Sequence, residues 1–584
     1  MGEGPGRQRP ASSPIRVKLL TNERRGKMIQ LPAKTSLRAA IIDGYLDEPS
    51  CLGVPPYISP HARYIYGALL LQGLSPEQID YFLIDQVRQD KEQILESLER
   101  TDLVIIIAGT TVPGKYLGGR PASLKELLEL GENLERPFTI LGGPVTQSLP
   151  ARWSARVSHS FDLIAGEIAP LTVTRIMQEE DPGQGLGSSK LREYIRDWAI
   201  AGSSITRKHP SFPHLVCELE TFRGCLRPVN CSFCSERLKK MTYCRQPQDV
   251  VEEVAALYSS GNRYFRLGCQ TDLIAYGGHY EGSTLIPNPA IIRQLYQGIA
   301  EAAPALKVLH MDNANPVSLA ANPELAEEIL EIITNYNTPG DVAAFGLESA
   351  DPAVLKENNI NAAPEQVFQA IRLMNKVGGK RSGGIPRLLP GLNFLHGLAG
   401  ESKMTMEHNY QFLKKVLAAG LLLRRINIRQ VQEIGNYRGN QVNKYRWQKY
   451  KEQINQEINL PMLRRVFPRG TILREVLTEK QEGKITFGRQ LGTYPILVGI
   501  PGQHEPGQFI DVVVTGHGYR SLTGLPYPFP INRASLIELE ALPGIGKKRA
   551  MRIFMNRPIK GPGELQQILD NGYDLNLLAD WVVF

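Results

Sequence analysis

The sequence has few cysteines, few tryptophans and no long apolar run. Seven cysteines in 584 residues are too few and too unevenly placed for a disulfide-stapled secreted scaffold. The longest apolar run, near residues 416–423, is about half of the ~18 residues that a membrane helix needs. The start, Met1-Gly-Glu-Gly-Pro-Gly-Arg, lacks both an apolar leader and the Ser or Thr of a myristoylation signal. These absences predict a soluble, cytoplasmic protein without a membrane partner.

Excess positive charge is missing from the first 420 residues. Residues 421–584 contain 23 Lys and Arg against 14 Asp and Glu, whereas residues 1–420 contain 44 against 45. The net charge of +8 therefore comes from the last quarter of the chain. A solvated basic face would explain this balance, and so would a module that binds a polyanion.

The length indicates several domains. A chain of 584 residues at about 100–200 residues per domain holds three to five units. With 42% hydrophobic and 22% charged residues, it is neither disordered nor a coiled coil. The pattern predicts these units: a flexible basic arm over 1–30, an α/β domain over 31–190, a β/α barrel over 205–455, a small β-barrel over 461–530 and a helical unit over 531–584.

Apolar strands alternate with helices through the first two thirds of the chain. Over 31–190 the strands end in Gly-containing turns, which predicts a doubly wound parallel sheet. From 214 to 431 there are six strand–helix units, fewer than the eight of a closed barrel. The predicted barrel strands are 215–220, 264–268, 307–311, 342–347, 392–396 and 425–431. The predicted fold class is α/β, with a partial (β/α)6 barrel at its centre.

Three cysteines stand together after the first predicted barrel strand. The segment Thr221-Phe-Arg-Gly-Cys225-Leu-Arg-Pro-Val-Asn-Cys231-Ser-Phe-Cys234 has the spacing C-x5-C-x2-C. Three thiolates are one ligand short of a closed structural zinc site. Around a cluster of four irons they leave one iron open to another ligand. Zinc with a distant fourth ligand is the alternative.

This segment resembles the radical S-adenosylmethionine (SAM) superfamily, whose motif is C-x3-C-x2-C with an aromatic residue before the last cysteine. Phe233 holds that place, and the first spacing is two residues longer. Three further segments resemble motifs of the methylthiotransferase branch: those beginning at Leu267, Phe345 and Asn393. The whole architecture resembles an uncharacterised radical SAM group with a C-terminal helix-hairpin-helix motif.

The resemblance implies both a cofactor and a reaction. A 4Fe–4S cluster on the three cysteines would bind SAM and, once reduced by a donor such as ferredoxin or flavodoxin, cleave it to a 5′-deoxyadenosyl radical that abstracts hydrogen from a substrate. A barrel-top hydrogen-bond network unrelated to a ligand is the alternative role for the polar residues of the matching segments. The cofactor-binding residues implied are Phe233, Gly268, Gln270, Glu348 and Ser349.

The other cysteines of the barrel lack a comparable pattern. Cys217, Cys244 and Cys269 are expected to be small buried apolar residues. Cys269 could instead face the substrate, and a second cluster on these three would be a further alternative, although their spacing does not require one.

The N-terminal α/β unit resembles cobalamin-binding domains and the first domain of methylthiotransferases. The Asp-x-His-x-x-Gly motif by which many cobalamin domains ligate cobalt is missing, and His61 stands without its Asp and Gly. Methylthiotransferases place three cysteines in this domain, whereas this chain has Cys51 alone. Cobalamin is therefore a cofactor that no ligand motif supports.

The C-terminal quarter resembles nucleic-acid-binding modules. Gly507-Gln-Phe-Ile-Asp-Val-Val-Val-Thr-Gly resembles a strand of the small TRAM barrel. Leu536-Ile-Glu-Leu-Glu-Ala-Leu-Pro-Gly-Ile-Gly-Lys-Lys-Arg-Ala550 resembles a helix-hairpin-helix motif, in which Gly544 and Gly546 shape a turn whose N–H groups face a phosphate and Lys547 and Lys548 add charge. A protein-docking cap is the alternative role for that hairpin.

The sequence thus predicts a radical SAM 4Fe–4S enzyme that modifies a nucleic acid, with RNA favoured. One alternative is radical chemistry on a small molecule or a protein, assisted by cobalamin. Another is a non-catalytic iron–sulfur protein that binds nucleic acid.

Overall fold

A computed structural model describes residues 13–17, 29–46, 52–54, 56–109, 117–239, 243–569, 572–578 and 580–584. Most of the arm predicted over 1–30, together with Cys51, lies outside these residues. The described part of that arm is not an arm but a strand, since Pro14–Val17 pairs antiparallel with Ile29–Ala33. Ile15 and Val17 are buried while Pro14 and Arg16 are exposed. This alternation is typical of a strand, but four residues are too few for it to be recognised in the sequence.

The N-terminal domain contains the predicted parallel sheet. Its five strands are Ala39–Asp43 (β1), Ile79–Leu83 (β2), Leu103–Ile107 (β3), Phe138–Gly142 (β4) and Leu163–Ile164 (β5). Their spatial order is β2-β1-β3-β4-β5, the 2-1-3-4-5 order of flavodoxin-like doubly wound folds. The edge strand β2 was not predicted, because its mixed Ile-Asp-Tyr-Phe-Leu sequence lacks the apolar run of the central strands.

Helices cover both faces of this sheet and connect it to the barrel. The helices up to residue 201 are Pro60–Leu71, Ile84–Gln89, Lys91–Glu99, Leu124–Asn133, Val145–Ser148, Ser154–Ser160, Ala169–Met177 and Ser188–Ala201. In the Leu124–Asn133 helix, Ser123 accepts from the Glu126 N–H and Glu126 accepts from the Ser123 N–H, a reciprocal cap that fixes where the helix begins.

The central domain is an open barrel of six parallel strands with intervening helices, as predicted. The strands are Val216–Glu220 (β6), Tyr264–Gly268 (β7), Val308–Met311 (β8), Asp341–Glu348 (β9), Leu388–His396 (β10) and Arg425–Gln430 (β11). A bridge between Asn313 and Ala344 joins the β6–β8 sheet to the β9–β11 sheet. The six C-terminal strand ends therefore meet on one side, where barrels of this kind place their active residues.

A seventh strand in this sheet comes from the N-terminal region. Tyr57–Ile58 pairs parallel with β6, and the following Pro60–Leu71 helix crosses the Ser188–Ala201 helix so closely that a Cβ on Gly67 would meet the Trp198 carbonyl oxygen at 2.0 Å. This strand and its helix belong in space to the barrel. The boundary predicted at residue 190 thus divides the chain in sequence but not in space.

The helices of the barrel begin where proline favours them. They are Pro247–Ser259, Pro289–Ala302, Pro316–Ala321, Pro323–Tyr336, Pro352–Glu357, Pro364–Gly378 and Thr405–Ala418. Six of these seven start with proline, whose fixed φ suits the first turn and whose missing N–H costs nothing there. Within the described residues, no helix combines the length and apolar character needed to cross a bilayer.

A small closed barrel follows the helices Lys444–Ile454 and Leu460–Val466, which are joined by a π-helical turn at Asn455–Asn459. Its strands are Ile472–Glu482 (β12), Ile485–Gln490 (β13), Leu497–Pro501 (β14), Phe509–His517 (β15) and Ser521–Pro526 (β16). They close in the order β12-β13-β14-β16-β15, with only the β14–β16 pair parallel. This is the connectivity of the five-stranded OB barrel, so the predicted small barrel is present.

The β13–β14 loop fixes the small barrel to the central domain. The Thr493 N–H donates to His310 Nδ1 on β8 over 3.0 Å, and the Tyr494 hydroxyl donates to Asp312 Oδ1 over 2.5 Å. The last elements are the helices Leu536–Glu540, Lys547–Met555 and Pro562–Leu569 and a short strand at Val582–Val583.

Candidate active site

The three cysteines of the C-x5-C-x2-C segment lie on the loop that follows β6 at the mouth of the barrel. Cys231 is buried, while Cys225 and Cys234 are partly exposed. The guanidinium of Arg227 donates to Cys231 Sγ over 2.9 Å and to Asn361 Oδ1 over 2.7 Å. A fixed cation beside a thiolate stabilises its charge, so Arg227 is a candidate site residue that the sequence analysis missed.

Burial opposes ionisation of these thiols. It raises the pKa of Cys234 to about 12. The pKa of Cys231 is also raised, mainly by burial. The charge of Arg227 acts in the opposite direction, and the Glu348 carboxylate adds to the increase. Iron binding must therefore displace protons from both sulfurs, as for other thiolate sites.

Asn358 holds the cysteine loop against the barrel. Its buried side chain accepts from the Ser232 and Tyr437 hydroxyls, each over 3.1 Å, and donates to the Val354 and Ala399 carbonyls, each over 2.8 Å. Its own carbonyl accepts from the Ser232 N–H. Both polar atoms of the amide are thus used, and the loop between Cys231 and Cys234 has a fixed position.

The donor set suits an iron–sulfur cluster. Phe233, between the last two cysteines, is buried and meets the Tyr437 ring edge-on at 6.3 Å, so the loop has an apolar lining. Thiolates are the usual ligands of such clusters, and each binds a different iron. The sulfurs therefore need not meet at one point. Among the described residues, no three His, Cys, Asp or Glu side chains converge closely enough to hold a single metal ion.

Glu348 and Ser349 stand at the C-terminal end of β9, as predicted. Glu348 has a φ of 62°, a strained conformation for a residue with a side chain. Ser349 is fully buried, its hydroxyl donating to Asn409 Oδ1 over 3.4 Å and accepting from the Asp351 N–H over 3.1 Å. These bonds of Ser349 are compatible with the ligand-independent network named above as the alternative, and the SAM contact of both residues stays a prediction.

Gly268 and Gln270 stand at the end of β7. A Cβ on Gly268 would meet Glu218 Oε1 at 2.1 Å, so the glycine makes room for a buried carboxylate. The Gln270 side chain is buried and donates to the Leu267 carbonyl over 2.9 Å. Their predicted contact with SAM is not tested by these interactions.

A cavity of about 360 Å³ lies between the N-terminal domain and the barrel mouth. Its walls are the C-terminal edges of both parallel sheets, the usual ligand position in α/β folds. Residues from the N-terminal domain are Leu46, Pro144, Gln147 and Glu167. Residues from the barrel side are Tyr57, Ser59, His61, Glu218, Glu220, Arg223, Glu236, Lys239, Cys269, Gln270, Thr271, Asp312 and Asn313. Its volume is within the range of small-molecule sites.

Paired charges lie under this cavity. Arg266 donates to Glu218 Oε1 over 2.5 Å, and Arg223 donates to Glu220 Oε1 over 2.8 Å. All four side chains are nearly fully buried. Burial by itself raises the pKa of each glutamate, but the charge of the paired arginine lowers it, and the pKa of both glutamates lies below the ordinary value. The sequence contains a signal for these ion pairs. Two glutamates lie in a strand of otherwise apolar residues, and glutamate is rarely buried unless it is paired.

The other three cysteines of the barrel differ in burial and surroundings. Cys217 is fully buried in β6, with its pKa raised to about 12 by burial, and matches the expected apolar role. Cys244 is partly exposed. Cys269 has a φ of 61°, lines the cavity and donates its thiol to Glu218 Oε2 over 3.2 Å. A second cluster on these three cysteines stays an alternative prediction.

The predicted phosphate-binding turn lies between the last helices. Gly544 has a φ of 71°, which glycine adopts without strain, and Gly546 caps the Lys547–Met555 helix. Lys547 and Lys548 are exposed on its first turn. Its assignment as a helix-hairpin-helix motif stays a prediction.

Comparison with known proteins identifies the family that the central domain matches. The sequence profile of the radical SAM superfamily matches residues 219–413. An uncharacterised protein of Archaeoglobus fulgidus is 43% identical over 91% of this chain and 97% of its own length. One of Methanocaldococcus jannaschii is 38% identical over 83% of this chain and 93% of its own.

The chain is also similar to a solved structure. The radical SAM methyltransferase TsrM of Kitasatospora setae, with cobalamin and a [4Fe-4S] cluster bound, is 15% identical, with a TM-score of 0.47 over 68% of this chain and 76% of that chain. This likeness is too distant to carry an argument about function. The matched domain contains Cys225, Cys231 and Cys234, and the superfamily uses a 4Fe–4S cluster and SAM. The chain is therefore a radical SAM enzyme and belongs to the radical SAM superfamily.

Proposed function

We propose that this radical SAM enzyme modifies a nucleic acid, with RNA the favoured substrate. The observation that carries the proposal is the C-terminal quarter, where a barrel of OB connectivity coincides with all of the excess positive charge. Barrels of this connectivity commonly bind oligonucleotides, and basic charge provides most of non-specific affinity for the phosphate backbone.

The chain's own residues divide the work in this proposal. Cys225, Cys231 and Cys234 hold the cluster, Arg227 neutralises thiolate charge, and Asn358 fixes the loop. When bound, the cluster and SAM supply a radical that abstracts hydrogen, and a ferredoxin or flavodoxin supplies the electron. Cys231 and Phe233 are buried within the loop, and such burial limits the access of water to reactive species.

The C-terminal helices would hold the polyanion. Lys547 and Lys548 lie at the N-terminal end of their helix, where the N–H groups and the helix dipole favour a phosphate. Contacts of this kind position a nucleic acid without reading its sequence. The target nucleotide would then be selected at the barrel mouth.

Mass spectrometry of nucleosides tests the substrate class. Total RNA from cells with and without the gene is digested and compared, and the proposal predicts one modified nucleoside that is lost with the gene. Complementation with the Cys234→Ala variant should not restore it, whereas Cys217→Ala should. Identical nucleoside profiles in the two strains would contradict the proposal.

Chemistry on a small molecule is the second candidate, and the cavity between the two sheets favours it. The cavity provides one imidazole, that of His61. Burial lowers the pKa of His61 to about 3, so the imidazole is neutral and able to ligate a metal. If cobalamin binds here, anaerobic incubation with hydroxocobalamin and gel filtration should give a stoichiometric corrin spectrum that His61→Ala changes. Protein free of corrinoid would remove cobalamin from the account.

A further inference from the structure

The helix Lys444–Ile454, called here the basic helix, presents charge and an aromatic ring to solvent. Lys444, Arg446 and Lys449 are exposed, Lys451 is half-buried, and Glu452 is its acidic residue. Tyr445 is 74% exposed. An exposed aromatic ring among cations is the composition of single-strand binding surfaces, where bases stack on the ring and cations follow the backbone.

The first half of the basic helix reaches the mouth of the barrel. Its Trp447 ring meets the His396 ring at 5.1 Å, and His396 is the last residue of β10. The preceding segment leads to the cysteine loop, since Asn440 donates to the Leu398 carbonyl and Tyr437 contacts Phe233. A single strand of nucleic acid that lies along the helix would therefore end at the active site.

The second half of the basic helix reaches the small barrel. Glu452 Oε1 accepts from the hydroxyl of Tyr519, in the loop between β15 and β16, over 3.3 Å. Burial and the neighbouring Arg520 lower the pKa of Lys451, so two cations approach each other at this junction. The loop between the fourth and fifth strands is one of the two by which OB barrels bind oligonucleotides.

We propose that the basic helix is a docking surface for single-stranded RNA, which it guides from the β15–β16 loop to the mouth of the barrel. Tyr445 stacks on a base, and Lys451 and Arg520 together bind a phosphate. The inference rests on the proposed function, and names the surface that function would use. Charge complementarity selects the occupant: a polyanion of repeated phosphates and bases satisfies both the cations and the exposed ring.

Fluorescence anisotropy with the full-length, reconstituted protein tests the surface. The probe is a fluorescein-labelled oligouridylate longer than the roughly 16-nucleotide upper limit of one OB-fold site. Tyr445→Ala should weaken binding about tenfold, while Tyr445→Phe, which keeps the ring, should bind as the wild type does. Lys451→Glu should lower affinity and reduce the slope of log affinity against log salt by about one.

Controls separate this surface from the rest of the molecule. Lys125→Glu, an equally simple charge reversal on the exposed side of the N-terminal domain, should leave binding unchanged. Wild-type affinity in Tyr445→Ala, with binding lost in Lys547→Glu/Lys548→Glu, would overturn the inference and leave the proposed function standing. No binding by the wild-type protein itself would overturn both.

Discussion

At the scale of single residues, the cysteine loop decides whether the enzyme can work. Cys234 is a predicted cluster ligand, whereas Cys217 is a buried thiol in β6. Cys234→Ala should lose bound iron and the iron–sulfur absorbance after anaerobic reconstitution. Cys217→Ala should keep both and lose only about 1 kcal/mol of stability through the small cavity it leaves. Equal iron content in the two variants would contradict the ligand assignment.

Asn358 is a positioning residue whose effect is separable from folding. Asn358→Ala removes four side-chain hydrogen bonds from a buried site, at a cost of about 2–6 kcal/mol if each contributes about 0.5–1.5 kcal/mol. Asn375→Ala removes comparable bonds to Ile371 and Leu422, away from the loop. Both should melt earlier, but only Asn358→Ala should change the electron paramagnetic resonance signal of the reduced cluster. An unchanged signal would limit Asn358 to stability.

The sequence predicts residues of this kind unevenly. The cysteines stood out because the chain has so few and three have metal-site spacing. Arg227 and Asn358 carry no such signal, since a single polar residue in a loop has no periodicity. Their roles depend on partners that are distant in the sequence. Arg227 and its partner Asn361 are 134 residues apart, and Asn358 and its partner Ser232 are 126 residues apart.

At the scale of elements, the β13–β14 loop makes the small barrel's attachment sensitive to acid. Burial lowers the pKa of His310 from 6.5 to about 4, so the unfolded chain takes up this proton first as pH falls. The free energy of unfolding should drop by up to about 3 kcal/mol between pH 6.5 and 4. In the folded protein, protonation removes the acceptor for the Thr493 N–H only near pH 4, so the loop should detach near that pH.

Thermal melting across this pH range measures that effect. His310→Gln keeps an acceptor without the titration and should have the shallower dependence of melting temperature on pH. His279→Gln, on an exposed hairpin, is the matched control and should follow the wild type. If His310→Gln also follows the wild type, the buried imidazole does not govern acid stability.

Elements with long apolar runs were predictable, and those that depend on distant pairing were not. Five of the six barrel strands start within two residues of the predicted position, because buried parallel strands are nearly continuous apolar segments; β10 begins four residues earlier. Tyr57–Ile58 has only two residues and no periodicity, and its partner β6 is 159 residues away along the chain. Its pairing is why part of the N-terminal segment belongs to the barrel.

At the scale of the whole molecule, charge is divided between a neutral catalytic front and a basic end. The proposed function predicts that RNA affinity falls steeply as salt rises, because bound phosphates release counterions. Lys547→Glu/Lys548→Glu should weaken binding and flatten this dependence, whereas Lys125→Glu should do neither. A response to salt that is flat in the wild type would mean that the basic end is only a solvated surface.

The cavity between the sheets is the feature that the sequence could not predict. Each wall follows from a parallel sheet that the strand pattern did predict, but the cavity depends on how two domains face each other. The hydrogen bond from the Arg223 guanidinium to the Glu167 carbonyl, for example, forms only once that packing exists. Fold class was therefore readable from the sequence, while the shape of the site was not.

Release of 5′-deoxyadenosine tests the central claim most directly. The protein is reconstituted anaerobically with iron and sulfide, given dithionite and SAM, and the products are separated by chromatography. The account predicts 5′-deoxyadenosine from the wild-type protein and none from Cys234→Ala. A protein with a fully loaded cluster that releases none would contradict it.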